Sequence, residues 1–164
     1  MQKQTKYRHL ITENGRLQVR IVTEYQNSEG KLLDKKYSDS YTPADISKMD
    51  GFDDVSKDIV TAITDKDVLT DFALEKKEST GTGLEEIVTY DRTLDDLGRI
   101  SVRRITRIFD EGEEVSKKYH RSWIMPGQDS TGNDVMSKAV AEKLHTPTVI
   151  QAYQDAIAEL EAEK

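Results

Sequence analysis

Three histidines, a crowd of arginines on one hairpin and several aspartate-rich turns are the residues of this chain with chemistry to offer. His9, His120 and His145 stand far apart, and no HxxxH, HExxH or histidine–carboxylate spacing joins any of them into a metal site. His145 closes a helical stretch, where the negative end of the helix dipole favours a partly exposed imidazole. Serines are plentiful, but GxSxG is absent and no histidine is placed by sequence to serve one as a base. Gly81-Thr82-Gly83 lacks the remaining residues of a phosphate-binding or dinucleotide loop. Asp45, Asp50, Asp53 and Asp54, with Asp129 and Asp134 later, do not fit the D-x-[DN]-x-[DN]-G pattern of a calcium loop. Helix starts and turns account for them equally well. The expectation is a protein with no catalytic residue, cofactor or metal, and so not an enzyme.

What remains is basic. Arg103, Arg104, Arg107, His120, Arg121 and Trp123 are the candidate partner-binding residues, crowded with Arg99, Lys117, Lys118 and Tyr119 onto one hairpin. Cations beside aromatic anchors suit an acidic protein surface or a nucleic-acid backbone. With a regular hairpin register, Arg103 and Arg107 share a face with Lys118 and His120, while Arg104 shares the other with Tyr119, Arg121 and Trp123. The competing reading is a solvated strand face whose cations pair with Glu111, Glu113, Glu114 and the acidic helices. A net charge of −7 and a pI near 5.1 disfavour bulk nucleic-acid binding, though a local basic patch remains compatible; the expected partner is a protein, another copy of the chain or a different one.

The elements that must carry these residues are written twice. Residues 15–41 and 98–123 both open Gly-Arg-apolar-x-Val-Arg, cross a glycine-containing turn, reach Lys-Lys-Tyr and end on Ser-aromatic. Gly15 answers to Gly98 and Gly30 to Gly112; further on, Asp53, Ser56 and Lys57 answer to Asp134, Ser137 and Lys138. The register drifts by single residues only in turns and loops, where insertions are tolerated. Period-2 patterning and Asn14-Gly15 predict strands over 3–12, 16–25 and 31–41, followed by helices over 53–64 and 66–76. The second set is strands 85–94, 99–109 and 113–124, then helices 133–144 and 147–162, with Thr146 as N-cap and Pro147 at N1. Residues 1–78 thus form a first copy, 79–83 a Ser/Thr/Gly linker and 84–164 a second copy. The fold class expected is α+β: two three-stranded antiparallel meanders, each followed by two helices, packed about a pseudo-twofold axis with separate sheets or one shared between them.

Composition bounds the setting. With 35% hydrophobic and 34% charged residues the core is modest and the surface heavily solvated. No cysteine is present, so there is no disulfide framework or thiolate nucleophile. The first ten residues lack the apolar core of a secretion signal, and no apolar run approaches membrane-spanning length. A cytoplasmic or particle-associated protein is expected.

Residues 105–156 carry a resemblance. Tyr119-His120-Arg121, then Pro126-Gly127-Gln128-Asp129, then Thr146-Pro147 with Val149-Ile150 and Ala152-Tyr153 resemble the C-terminal part of small uncharacterised proteins of tailed bacteriophages. The resemblance covers about a third of the chain and transfers no catalytic residue. It implies a phage origin, residence in the host cytoplasm or the virion, and a structural or virion-associated role through protein–protein contact with another copy of the chain or another virion component. A regulator or inhibitor of a host protein, or a nucleic-acid binder using the arginine hairpin, are the alternatives.

Overall fold

A computed structural model describes all 164 residues. Short-range chemistry sets the element ends. Strands β1 (Gln2–Ile11) and β2 (Leu17–Gln26) meet across the Asn14-Gly15 turn. β3 (Leu32–Tyr41) follows a turn in which Asn27 Oδ1 accepts the N–H groups of Glu29 at 3.0 Å and Lys31 at 2.9 Å. A single 3-10 turn (Ile46–Lys48) leads into helices α1 (Asp54–Ile63) and α2 (Lys66–Glu75). Strands β4 (Leu84–Leu94), β5 (Ile100–Asp110) and β6 (Glu113–Ile124) then precede helices α3 (Val135–Leu144) and α4 (Pro147–Ala162). Each α-helix starts on a side-chain cap: Asp53, Asp65, Asp134 and Thr146 accept backbone N–H groups of the first turn.

All six strands join one antiparallel sheet in the order β3-β2-β1-β4-β5-β6, so the two meanders share a single sheet. The seam between them is short. β1 and β4 pair only at His9–Leu94, Leu10–Thr93 and Ile11–Arg92, beyond which each strand runs past the end of the other. The helices lie on one face. Ile11, Leu17, Val19, Ile100, Val102 and Ile124 from the sheet bury against Ile59, Val60 and Ile63 of α1 and Met136, Val140, Ala141 and Leu144 of α3. α1 and α3 are therefore the inner helices. α2 and α4 have no buried residue and lie outside them.

The hairpin register corrects the expected grouping of the basic residues. β6 carries a bulge: Ile108 pairs with Ser116 and Phe109 with Glu114, which leaves Val115 as the extra residue. One inserted residue flips every side chain beyond it to the other face. Arg103 and Arg107 therefore share a face with Lys117, Tyr119, Arg121 and Trp123, while Arg104 lies opposite His120 on the helix-bearing face. β3 has its own bulge at Leu33, between the pairs Tyr25–Asp34 and Gln26–Leu32.

Candidate functional site

The sheet turns two polar strand residues inward, and each meets the first turn of an inner helix. Arg92 of β4 is wholly buried; its Nε donates to Ser137 Oγ at 2.8 Å and its Nη2 to the Asp134 carboxylate. Asp134 caps α3, accepting the Ser137 N–H at 3.1 Å and the Ser137 hydroxyl at 2.5 Å. On β1, His9 Nε2 lies 3.1 Å from Asp53 Oδ2 and 3.1 Å from Ser56 Oγ, and Asp53 caps α1 by accepting the Ser56 N–H at 3.1 Å. The buried Asp134 carboxylate and the partly buried Asp53 carboxylate are both tolerable because hydrogen-bond donors and the positive end of a helix surround them. Burial opposes ionisation of Asp53, but hydrogen bonds from His9 and Ser56 outweigh it and hold the carboxyl down to about 2.

Histidine, aspartate and serine are the residue types of a hydrolytic relay, so the geometry matters. In such a relay the carboxylate holds one ring nitrogen and the hydroxyl faces the other. Here Asp53 and Ser56 approach the same nitrogen, and Ser56 is buried with its proton donated to Asp53. The cluster fastens a helix to a strand and presents no activated nucleophile. Two more of the aspartates weighed as a calcium loop have local partners: Asp45 caps the 3-10 turn and Asp129 accepts the N–H and hydroxyl of Thr131.

A cleft of about 540 Å³ opens on the helix side at the seam, where β1 runs past β4. The inward side of β1 (Tyr7, His9), the start of α1 (Asp53, Val55), the β4–β5 turn (Leu94, Leu97, Gly98) and α4 (Val149, Ala152, Tyr153) line it. Beside β4, where it runs past β1, only about 20 Å³ is left among Phe72, Glu75, Lys76, Tyr90 and Arg92. Across the sheet from the open cleft, a second hollow of about 520 Å³ lies over Arg8, Leu10, Gln18, Arg20 and Thr93.

That second hollow belongs to the face no helix covers. One row crosses all six strands there, from Tyr41 through Gln18, Leu10, Thr93 and Ser101 to Trp123. An arginine lies over the ring at each end, Arg16 4.5 Å from the centre of Tyr41 and Arg99 5.2 Å from that of Trp123. Beside the row, Lys35 lies over Tyr37, and Arg103 and Lys117 over Tyr119. Four of the six predicted residues fall on this face. Arg103 pairs with Asp91, and Arg107 Nη1 donates to Glu13 at 2.6 Å, with Glu114 also near its guanidinium. The hydrogen bond from Arg107 holds the Glu13 carboxyl below its usual range. Arg121 and Trp123 complete the set, Arg121 without a carboxylate partner. Arg104 and His120 stand on the other face and do not join them.

Sequence reading missed the first meander's share of this face, Arg8, Arg16, Lys35, Tyr37 and Tyr41, though Tyr37 and Tyr41 stand where Tyr119 and Trp123 recur. It also missed His9 and Arg92 as anchors. The repeated Asp-x-x-Ser at 53–56 and 134–137 was the signal, with each strand residue the undetected half. Compared with protein-family models, curated proteins and solved structures, the chain matches none.

Proposed function

We propose that this chain is a non-enzymatic assembly subunit that works by protein–protein contact through the uncovered sheet face. The observation that carries the reading is the row from Tyr41 to Trp123, with a cation-capped aromatic at either end of a floor of uncharged side chains. Large, half-exposed aromatics beside arginines are the residues from which binding hot spots are built. Charge selects the partner. The uncovered face carries Lys6, Arg8, Arg20, Lys35, Arg103, Arg107, Lys117 and Arg121 against Glu13, Glu24, Asp39, Glu85, Asp91 and Glu114. The helical segments, residues 43–78 and 125–164, hold more than twice as many acidic as basic residues. The acidic helical layer of a second copy is therefore the complementary surface, in a head-to-tail contact of the kind that builds rings or filaments.

The reading includes an origin by duplication, with the two halves related by a pseudo-twofold axis through the seam. Leu10 and Thr93, which the repeat superposes, pair directly with each other. His9–Asp53–Ser56 answers Arg92–Asp134–Ser137, Arg16–Tyr41 answers Arg99–Trp123, and the Leu33 bulge answers the Val115 bulge. Such a subunit presents two like pads at once. With the resemblance of residues 105–156 as its support, the reading takes the assembly to belong to a phage particle or to the infected host's cytoplasm.

Light scattering on the purified protein, from low to high salt, tests the contact. Concentration-dependent association at low salt is expected, weakening as salt screens it and abolished by Lys117→Glu with Arg121→Glu. A monomer at about 100 µM in low salt, where opposite charges attract most strongly, would overturn the reading. The unpaired Arg8 and Arg121 favour one rival, a nucleic-acid backbone on the same face. It predicts steeply salt-dependent binding of a short duplex that Arg121→Glu weakens, and no binding at low salt ends it.

A further inference from the structure

Beyond self-assembly, and independently of it, we infer that the groove between the free edge of β1 and helix α4 receives an extended peptide of a partner protein, added to the sheet as a strand antiparallel to β1. The first ground is backbone accounting. β1 runs from Gln2 to Ile11 but meets β4 only from His9 onward, so toward β4 residues 2–8 have no backbone partner. The chain that would have continued β4 turns away instead, closing a turn in which the Gly98 N–H donates to the Asp95 carbonyl at 3.1 Å. A row of unpaired N–H and C=O groups is a template for one more strand.

The second ground is the groove beside that edge. Its far wall is α4, which lines it with Val149, Ala152 and Tyr153, on a helix with no buried residue. An apolar helix face only half covered beside an unpaired strand is what an added strand would cover on one side and pair with on the other.

The third ground is how the molecule treats its other free edge. Residues 84–91 of β4 also run past their neighbour, but there the gap is closed from within. Phe72 of α2 packs against Gly15, and Glu13 leans across to take hydrogen bonds from the Thr89 hydroxyl and from Arg107. About 20 Å³ remains there, against about 540 Å³ beside β1. The same junction is thus sealed by the chain's own side chains once and left open once.

Chemistry narrows the occupant. The unpaired run of β1 is long enough for a strand of about six residues, roughly 20 Å. Tyr7 and Thr5 turn toward the groove, so the peptide residues opposite them are apolar and alternate with solvent-facing ones. Asp96, which makes no ion pair, stands where an antiparallel peptide begins and selects a basic residue there. Lys3 at the other end favours an acidic residue and keeps the edge from pairing indiscriminately.

The test is selection from a random peptide library against the full chain, followed by binding of the labelled winning peptide. Expected are winners with alternating apolar residues and a basic residue near the start, and amide exchange slowed at residues 3–7 on binding. Ala152→Trp, which places a large side chain in the groove from an exposed position, weakens binding at least about tenfold. Glu29→Gln, in the exposed β2–β3 turn away from both proposed surfaces, leaves it unchanged. The inference is overturned by a library that enriches nothing, by a winner that binds Ala152→Trp as tightly as wild type, or by protection that falls outside β1. The exchange result needs no variant and stands if Ala152→Trp does not fold.

Discussion

Replacing Arg92 by methionine removes a buried cation and keeps its hydrocarbon bulk, which isolates the electrostatic part of the Arg92–Asp134–Ser137 cluster. Both charged side chains are about 1% exposed, so the Asp134 carboxylate left behind would keep only the Ser137 N–H and hydroxyl as donors. Breaking a buried pair from one side costs about 3–5 kcal/mol, mostly from stranding the surviving charge. Asp134→Asn strands the guanidinium instead, which already has one nitrogen, Nη1, without a partner. Asparagine caps a helix as well as aspartate does, so the cap itself survives that change. The double variant strands neither charge and should lose about 2–3 kcal/mol less than the two single losses added together. Urea unfolding at neutral pH reads this directly: with a slope near 2 kcal/mol per molar, Arg92→Met should lower the midpoint by about 2 M. Arg103→Met is the control. Its pair with Asp91 is about a third exposed on the arginine side and should be worth about 1 kcal/mol or less. The reasoning fails if Arg92→Met costs no more than that control, or if the double variant loses the full sum of the singles.

Two further outcomes follow from other parts of the structure. The Asp53 carboxyl titrates near 2 in the fold against 3.8 ordinarily, so its contribution to stability is complete above the ordinary value and lost as pH falls through the folded one. Stability of wild type should drop more steeply than that of Asp53→Asn between those pH values, and parallel profiles would refute the assignment. Gly98 and Gly30 both sit at positive φ, 77° and 79°, but a side chain at Gly98 would stand 2.9 Å from Val149 Cγ1 and one at Gly30 would meet nothing within 4 Å. Gly30→Ala should cost about 1–2 kcal/mol for the left-handed backbone. Gly98→Ala should cost about 1–3 kcal/mol more for overpacking against α4, so equal shifts in thermal midpoint would show that α4 does not hold the turn.

What the amino-acid sequence determined by itself is everything that depends on neighbours a few residues apart. Asn14-Gly15 and Asn27 shape turns with their own backbones, Asp53 and Asp134 cap helices through a serine three residues on, and Thr146-Pro147 starts α4. These interactions close short loops at small entropic cost, so residue type suffices to read them. Only the tertiary structure decided which face the arginines take, because one extra residue at Val115 reverses a strand and no propensity marks it. The seam is decided the same way. The pairing of Leu10 with Thr93 and of His9 with Asp53, and the placing of Arg92 on Asp134, join residues far apart in the chain. Each is favourable only once burial has removed the water that would otherwise satisfy those groups. The two clefts at the seam arise from where β1 and β4 stop pairing, a property of how the halves meet that neither half encodes alone.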